Sequence, residues 1–360
     1  MRWKEAWEGE MQPALAVGLS VLTVGYRGLL TLRQALYARG LLKSRRLPCP
    51  VISVGNLTLG GTGKTPAAEL AVRTVLEAGV VPGIVSRGYG RRTRGTLVVA
   101  DRYGVKADPV AAGDEPFLLA RRLPGVPVVV GENRYAAGRA CLELFGVGAL
   151  VLDDAFQHRT LAKDLEIVLV SGAAPWGNGR IFPRGPLREP VSALTRAHIV
   201  LVTWPQEEAS VRAIADTVKA QNPMGRVVTA RYEPVECWEV SGGTCPGPGG
   251  LRDLRLFAFA GIARPANFAR TLADLGVSVA GLAEFPDHHW FTASELEALA
   301  SEARARGAQA LITTEKDAVR CLGLAPPSLP LWAVAVRLVL AEGHSAWEMA
   351  FQSLLRHERH

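Results

Sequence analysis

The sequence predicts an α/β protein: two P-loop or Rossmann-like α/β units with mostly parallel sheets, joined by a hinge and preceded by a membrane-associated N-terminal helix. Three observations carry this. Apolar runs of five or six residues alternate with stretches of helical spacing, as in a parallel sheet covered on both faces. One such run, Val51–Asn56, leads into a glycine-rich turn that opens a helix at Gly63-Lys64-Thr65. A Gly/Pro-rich stretch then separates two blocks of this pattern. With 360 residues, 48% of them hydrophobic and 21% charged, the chain is long and apolar enough for two globular units.

Residues 1–48 form an apolar and basic segment. Ala14 to Tyr26 is uncharged, short of the ~20 residues that span a bilayer as a helix. Glu5, Glu8 and Glu10 precede it, the wrong charge for a secretory signal. Arg27, Arg33, Arg39, Lys43, Arg45 and Arg46 follow among leucines, which suits a helix on an anionic membrane surface. A helix packed on its own domain with a solvated basic end fits the same residues.

Residues 49–235 read as a P-loop unit. After Val51–Asn56 and its helix, strands are expected at Val81–Ser86, Val126–Val130, Gly148–Leu152, Leu165–Val170 and Ile199–Thr203. Helices are expected at Asp114–Arg122, with acids in its first turn, and Asn133–Phe145. Residues 236–252 read as a connector. Residues 253–340 form a smaller unit with strands at Leu256–Ala260, Val277–Gly281, Ala310–Thr313 and Leu331–Val336. Helices at Pro265–Leu275 and Ala293–Arg306 lie between them, and residues 341–360 close with a helix.

The chemistry starts at the glycine-rich turn. Gly60, Gly61 and Gly63 let successive N–H groups of Thr58 to Thr65 converge on phosphates, Lys64 reaches the β/γ-phosphates, and the Thr65 hydroxyl can meet Mg²⁺. The first glycine of the usual G-x-x-x-x-G-K-[ST] pattern is here Thr58. Asp153 and Asp154 end a strand as a Walker B acid does, and can hold the metal. Asp114 opens a helix, where it is either a cap or a general base for an acceptor hydroxyl. Asp287-His288-His289 has too few neighbouring ligands for zinc, and a histidine working with a carboxylate suits it better. Arg87, Arg184 and Arg188 are loop cations able to clamp a phosphate on the acceptor. Thr314-Glu315-Lys316-Asp317 resembles base-reading loops of other NTPases, although a helix cap explains Thr314 and Asp317.

The formal charge of +7 and pI near 9.4 call for an anionic partner. No nucleic-acid motif is present and aromatics make up only 7%, so a phosphorylated substrate or a membrane surface is favoured over nucleic acid. Five scattered cysteines without a C-x-x-C pair argue against a disulfide framework or a zinc site, although Cys237 and Cys245 flank a Gly/Pro-rich loop.

Together these motifs resemble the tetraacyldisaccharide 4′-kinase family. They are Val54-Gly55-Asn56-Leu57-Thr58-Leu59-Gly60-Gly61-Thr62-Gly63-Lys64-Thr65-Pro66, Ser86-Arg87-Gly88-Tyr89-Gly90, Gly113-Asp114-Glu115-Pro116 and Asp153-Asp154-Ala155-Phe156-Gln157-His158. Pro183 to Pro190, Phe285-Pro286-Asp287-His288-His289 and Thr314 to Val319 continue the series in family order. The resemblance implies an ATP- and Mg²⁺-dependent enzyme on the cytoplasmic face of the bacterial inner membrane. It would phosphorylate the 4′-hydroxyl of a lipid disaccharide 1-phosphate. It implies Asp114 as base, oriented by a histidine of the 288/289 pair, His288 being the choice. Lys64, Thr65, Asp153 and Asp154 would serve phosphate and metal, Glu189 the metal region, and Arg87, Tyr89, Arg184 and Arg188 the substrate. The family has glycine where this chain has Ala155, which matters only if that position needs a positive φ.

Two other classes stay open at this level. Partitioning-type ATPase switches share the loop but carry a lysine before the paired glycines, where this chain has Leu59. A nucleotide-binding scaffold without turnover would not need Asp114 and the paired aspartates.

Overall fold

The computed structural model describes residue 7, residues 13–205 and residues 207–356; Glu5, Glu8 and Glu10 and residues 357–360 lie outside the described residues. Helix α1, Pro13–Ala38, runs on through Arg27 and Arg33, twice the length of the uncharged run. By length and composition it is long and apolar enough to cross a membrane, so the shortness expected from sequence does not hold. Arg27 and Arg33 do not stop the helix, because arginine, like the leucines and alanines around it, is a strong helix former.

The first block contains β1 (Val51–Asn56), α2 (Lys64–Glu77), β2 (Pro82–Ser86), β3 (Leu97–Asp101), β4 (Gly104–Val105), α3 (Pro109–Ala112), α4 (Asp114–Arg122), β5 (Val128–Val130), α5 (Arg134–Phe145), β6 (Ala149–Asp153), β7 (Leu165–Ser171), β8 (Ile199–Thr203) and α6 (Glu208–Gln221). Strand β9 (Arg226–Glu239) leads out of it. Then come β10 (Arg255–Ala260), α7 (Pro265–Asp274), β11 (Ser278–Glu284), α8 (Ala293–Ala305), β12 (Ala310–Thr314), α9 (Glu315–Cys321), β13 (Leu331–Glu342) and α10 (His344–Arg356).

All thirteen strands join one sheet, in the order β11-β10-β12-β13-β9-β8-β7-β1-β6-β2-β5-β3-β4. The sequence predicts two blocks, and each is indeed a mostly parallel run. They are not separate sheets, however, because β9 pairs antiparallel with β13 along nearly its whole length. The expected connector at residue 236 therefore begins inside a strand. Residues β1, β2, β5, β6, β7 and β8 contribute are buried throughout, as a sheet covered on both faces requires.

Helix ends follow local chemistry. Asp114 and Glu115 open α4 and Arg121 and Arg122 close it, matching the helix dipole. Thr292 and Glu295 form a capping box on α8. The expectation of no disulfide is overturned: Cys237 on β9 is bonded to Cys245, with Cα atoms 6.1 Å apart. The Gly/Pro-rich turn between them folds the chain back on itself. Cys49, Cys141 and Cys321 are buried.

Candidate active site

The P-loop leaves the C-terminal end of β1, beside the end of β6 that carries Asp153. Gly60 (φ 104°) and Gly63 (φ 86°) adopt left-handed conformations that side chains resist, and Gly63 is the N-cap of α2. A Cβ on Gly63 would fall 1.6 Å from the Tyr232 hydroxyl, and one on Gly61 would lie 3.3 Å from the Ala263 Cβ. The glycines thus also admit residues of β9 and of the loop after β10 directly onto the P-loop. Asn56 Nδ2 donates to Thr62 Oγ1 (2.8 Å) and Thr203 Oγ1 to the Thr62 carbonyl (3.2 Å), fixing the loop from below. Thr58 lies one step earlier, bridged to Leu187.

Lys64 Nζ lies 3.9 Å from Asp154 Oδ2, and Arg188 Nη1 donates to Asp154 Oδ1 at 3.0 Å. Burial works to raise the Asp154 carboxyl, but Lys64 and Arg188 outweigh it and hold it low. Asp153 differs. Burial first, then the charges of Glu115 and Asp154, push it up to about 7. Its Oδ2 accepts from Ser86 Oγ (3.2 Å), while its buried Oδ1 has no hydrogen-bond partner among the described residues. Asp154 itself takes the left-handed backbone (φ 49°) and Ala155 does not, so replacing glycine by alanine there carries no strain.

Across the cleft, His288 Nδ1 lies 2.9 Å from Asp114 Oδ2. Arg320 Nε and Nη2 donate to the same oxygen at 2.9 and 2.6 Å, and the Glu115 N–H donates to Asp114 Oδ1 at 2.9 Å. Burial favours protonation of Asp114, but the His288 hydrogen bond and the Lys316 and Arg320 charges prevail and hold it far below the ordinary carboxylate range. Lys316 Nζ donates to Glu115 Oε1 (3.0 Å) and lies 3.4 Å from His288 Nε2. The Tyr89 ring sits against His288 with centroids 5.6 Å apart. His289 instead pairs with Glu295 (3.1 Å), so His288 is the histidine that meets Asp114.

Between these groups lies a cavity of about 210 Å³, lined among others by Lys64, Thr65, Glu115, Trp204, Asn267 and Lys316. Trp204 stacks on Tyr232, ring centroids 4.6 Å apart.

Two expected site residues are committed elsewhere. Glu189, assigned to the metal region, is buried and gives both carboxylate oxygens to Arg196, at 2.9 and 3.2 Å. Arg184, assigned to substrate, bonds the Ala16 carbonyl and Ser20 Oγ (2.9 Å) and so fastens α1 to the loop after β7. Both sit in a motif whose arginines look equivalent in sequence, and only packing sorts them. Arg87 is exposed on the loop after β2. The sequence reading passed over Tyr232, Trp204, Arg122 and Arg320. For Arg320 the signal available was its spacing, one helical turn beyond Lys316 and Asp317.

A phosphate-cradling loop, an acid pair at the neighbouring strand end and a carboxylate–imidazole pair across the cleft define a P-loop phosphotransferase. The family model described as Tetraacyldisaccharide-1-P 4'-kinase matches residues 15–356, and the chain belongs to that family. It is 44% identical over 319 residues to the tetraacyldisaccharide 4'-kinase of Anaeromyxobacter dehalogenans (strain 2CP-C), covering 88% of this chain and 84% of the relative. It is 37% identical over 345 residues to that of Syntrophus aciditrophicus (strain SB), covering 93% and 92%. The crystal structure of LpxK from Aquifex aeolicus in complex with ATP matches with a TM-score of 0.76 at 30% identity, over 95% of this chain and 99% of that one. The activity is that of a tetraacyldisaccharide 4'-kinase in lipid A biosynthesis.

Proposed function

We propose that ATP lies in the cleft with its phosphates on the Gly60–Thr65 loop, and that the Asp114–His288 pair takes the proton from the 4′-hydroxyl of a lipid disaccharide 1-phosphate. The observation that carries this reading is the pair itself, whose members are the chain neighbours of Glu115 and Asp287, which line the same cavity as Lys64. With Arg320 on Asp114, the bare carboxylate is a weak base. The proton therefore comes to rest on the imidazole, and Asp114 balances the imidazolium. As the γ-phosphoryl bond to ADP breaks, the new bond forms to the freed sugar oxygen. Lys64 faces the charge that develops on the phosphoryl oxygens.

Thr65, Asp153 and Asp154 fit Mg²⁺: the buried, unpartnered Asp153 Oδ1 is an oxygen donor awaiting a cation. Bound there, the ion neutralises phosphate charge. Glu189 belongs to Arg196 and is not proposed as a ligand. Arg87, Tyr89 and Arg188 are the groups proposed to meet the sugar and its phosphate, Tyr89 from beside His288 and Arg188 from beside Asp154. The domain reading also stands as ours, with a P-loop unit to residue 235 and a smaller unit from 253 hinged through the β9–β13 ribbon.

Helix α1 supports the membrane reading. Its inner face is held by Tyr26 Oη on the Arg188 carbonyl (3.1 Å) and Arg33 on the Gln157 carbonyl (3.0 Å). Val17, Val21, Leu22, Val24 and Leu29 on the outer face are each at least 61% exposed. That face suits acyl chains, and the flanking arginines suit anionic headgroups on the cytoplasmic face of the inner membrane.

The test is transfer of label from γ-labelled ATP to the lipid in detergent micelles with Mg²⁺. Asp114→Asn and His288→Ala should each abolish transfer while leaving ATP binding intact. Full transfer by either variant would remove the pair from the mechanism.

A further inference from the structure

We infer that Arg320 is a positioning residue for the reaction: anchored in the second lobe, it reaches across the cleft to hold Asp114 in line with His288, so the base is complete only as a two-lobe assembly. This rests on the reading of Asp114–His288 as the proton-removing pair.

The geometry is that of a clasp with a fixed end and a working end. At the fixed end, Arg320 Nη1 donates to Asp317 Oδ1 (2.9 Å) one turn back on α9 and to the Gly261 carbonyl (3.0 Å) after β10. Asp317 is itself held by Thr314, whose hydroxyl donates to Asp317 Oδ2 at 2.6 Å. At the working end, Nε and Nη2 both converge on Asp114 Oδ2, 206 residues away in sequence. The side chain is fully buried, and its charge is balanced by Asp317 on its own helix and by Asp114 across the cleft. A guanidinium needed only to satisfy α9 would stop at Asp317. This one instead turns two N–H donors of its planar fork on a single carboxylate oxygen of the other lobe, a directed pairing that the point charge of an ammonium does not reproduce.

The groups facing Asp114 come from several elements. His288 follows β11, Lys316 and Arg320 belong to α9, and Glu115 is its neighbour on α4. Asp287 stands 3.9 Å from both His288 Nε2 and Lys316 Nζ. Arg320 and Lys316 therefore set the cationic side of the balance. Neutralising Arg320 makes the pair bind its proton more tightly, while Lys316 keeps part of the field.

The test measures kcat, KM for ATP and the pH profile of full-length protein in micelles for wild type, Arg320→Gln, Arg320→Lys and Asp114→Asn. Arg320→Gln should lower kcat about 100-fold at neutral pH with little change in KM for ATP, and move the acidic limb up by about one pH unit. Arg320→Lys, which keeps the charge but loses the fork, should keep the wild-type limb and recover only part of kcat. A uniform fall of Arg320→Gln across the pH range, or none, would overturn the inference. Should that variant fail to fold, Arg320→Lys decides alone: full kcat with an unchanged profile overturns the role of the fork. Loss of activity in Asp114→Asn with a normal Arg320→Gln refutes only the Arg320 role. Normal activity in Asp114→Asn refutes the underlying pair.

Discussion

Replacing Arg122 with methionine tests how the two lobes are held. Arg122, at the end of α4, pairs with Glu69 of α2 (2.6 Å) and Glu315 of α9 (2.7 Å), and donates to the Val336 carbonyl of β13 (2.7 Å). Glu69 would retain Arg73 at 2.8 Å and Arg337 at 3.7 Å. Glu315 has no other ion pair among the described residues, and its side chain is only 12% exposed. The loss is then one stranded carboxylate rather than two, at the low end of the range for breaking a buried pair, ~3 kcal/mol. For a chain of this length that is a fall in Tm of about 4 °C. Burial already raises the Glu315 carboxyl against the pull of Arg122, and removing Arg122 raises it further. A carboxyl with a raised folded pKa gives stability below its unfolded value and loses it as pH rises through the folded one. The deficit of Arg122→Met must therefore be small at pH 5 and full at pH 8. Melting curves at both values, with and without ATP, read it directly. Adding Glu315→Gln removes the stranded charge and should recover most of the Tm. An equal deficit at both pH values, or no recovery in the double variant, would refute the reasoning.

Other substitutions separate the parts of the site. Lys64→Ala should cut kcat by about 10²–10³ with unchanged Tm, as expected for loss of one charge-stabilising group, read by label transfer. Gly63→Ala forces alanine into a left-handed φ against Tyr232, and should weaken ATP binding at least about tenfold by calorimetry. Val21→Asp combined with Val24→Asp places two carboxylates on the exposed face of α1. It should lower cosedimentation with anionic vesicles by about 100-fold while ATP binding persists.

The P-loop block was legible because its strands are buried on both faces and read as unbroken apolar runs, and because Gly63, Lys64 and Thr65 sit where strand gives way to helix. Strand β9 was not. Arg226, Arg231, Glu233, Pro234 and Glu236 give it the look of a loop, and its burial alternates irregularly. It persists because β13 supplies hydrogen bonds along its length and because Pro234 falls at a register shift, where a missing N–H is tolerated. Strand β3 was missed as well, being a short antiparallel strand near the sheet edge. In the site, residue type and context left Asp114 open between cap and base and did not separate His288 from His289; the family resemblance made both choices. Arg320 could not be nominated, because its importance lies in a contact between distant segments, and an arginine one turn after Asp317 looks like an ordinary helix pair.

The loop from Ile181 to Arg188 lies between helix α1 and the phosphate loop, and it touches both. Thr23 and Tyr26 of α1 donate to the carbonyls of Ile181 and Arg188, while the Arg188 N–H bonds the Leu57 carbonyl and the Leu59 N–H bonds that of Pro186. The side chain of Arg188 then ends on Asp154. A shortened protein lacking α1 is therefore not the same engine with one helix removed. It has lost the support of the loop that braces Leu57 and Leu59 at the entry to the phosphate loop, so rates measured on it describe a differently braced enzyme.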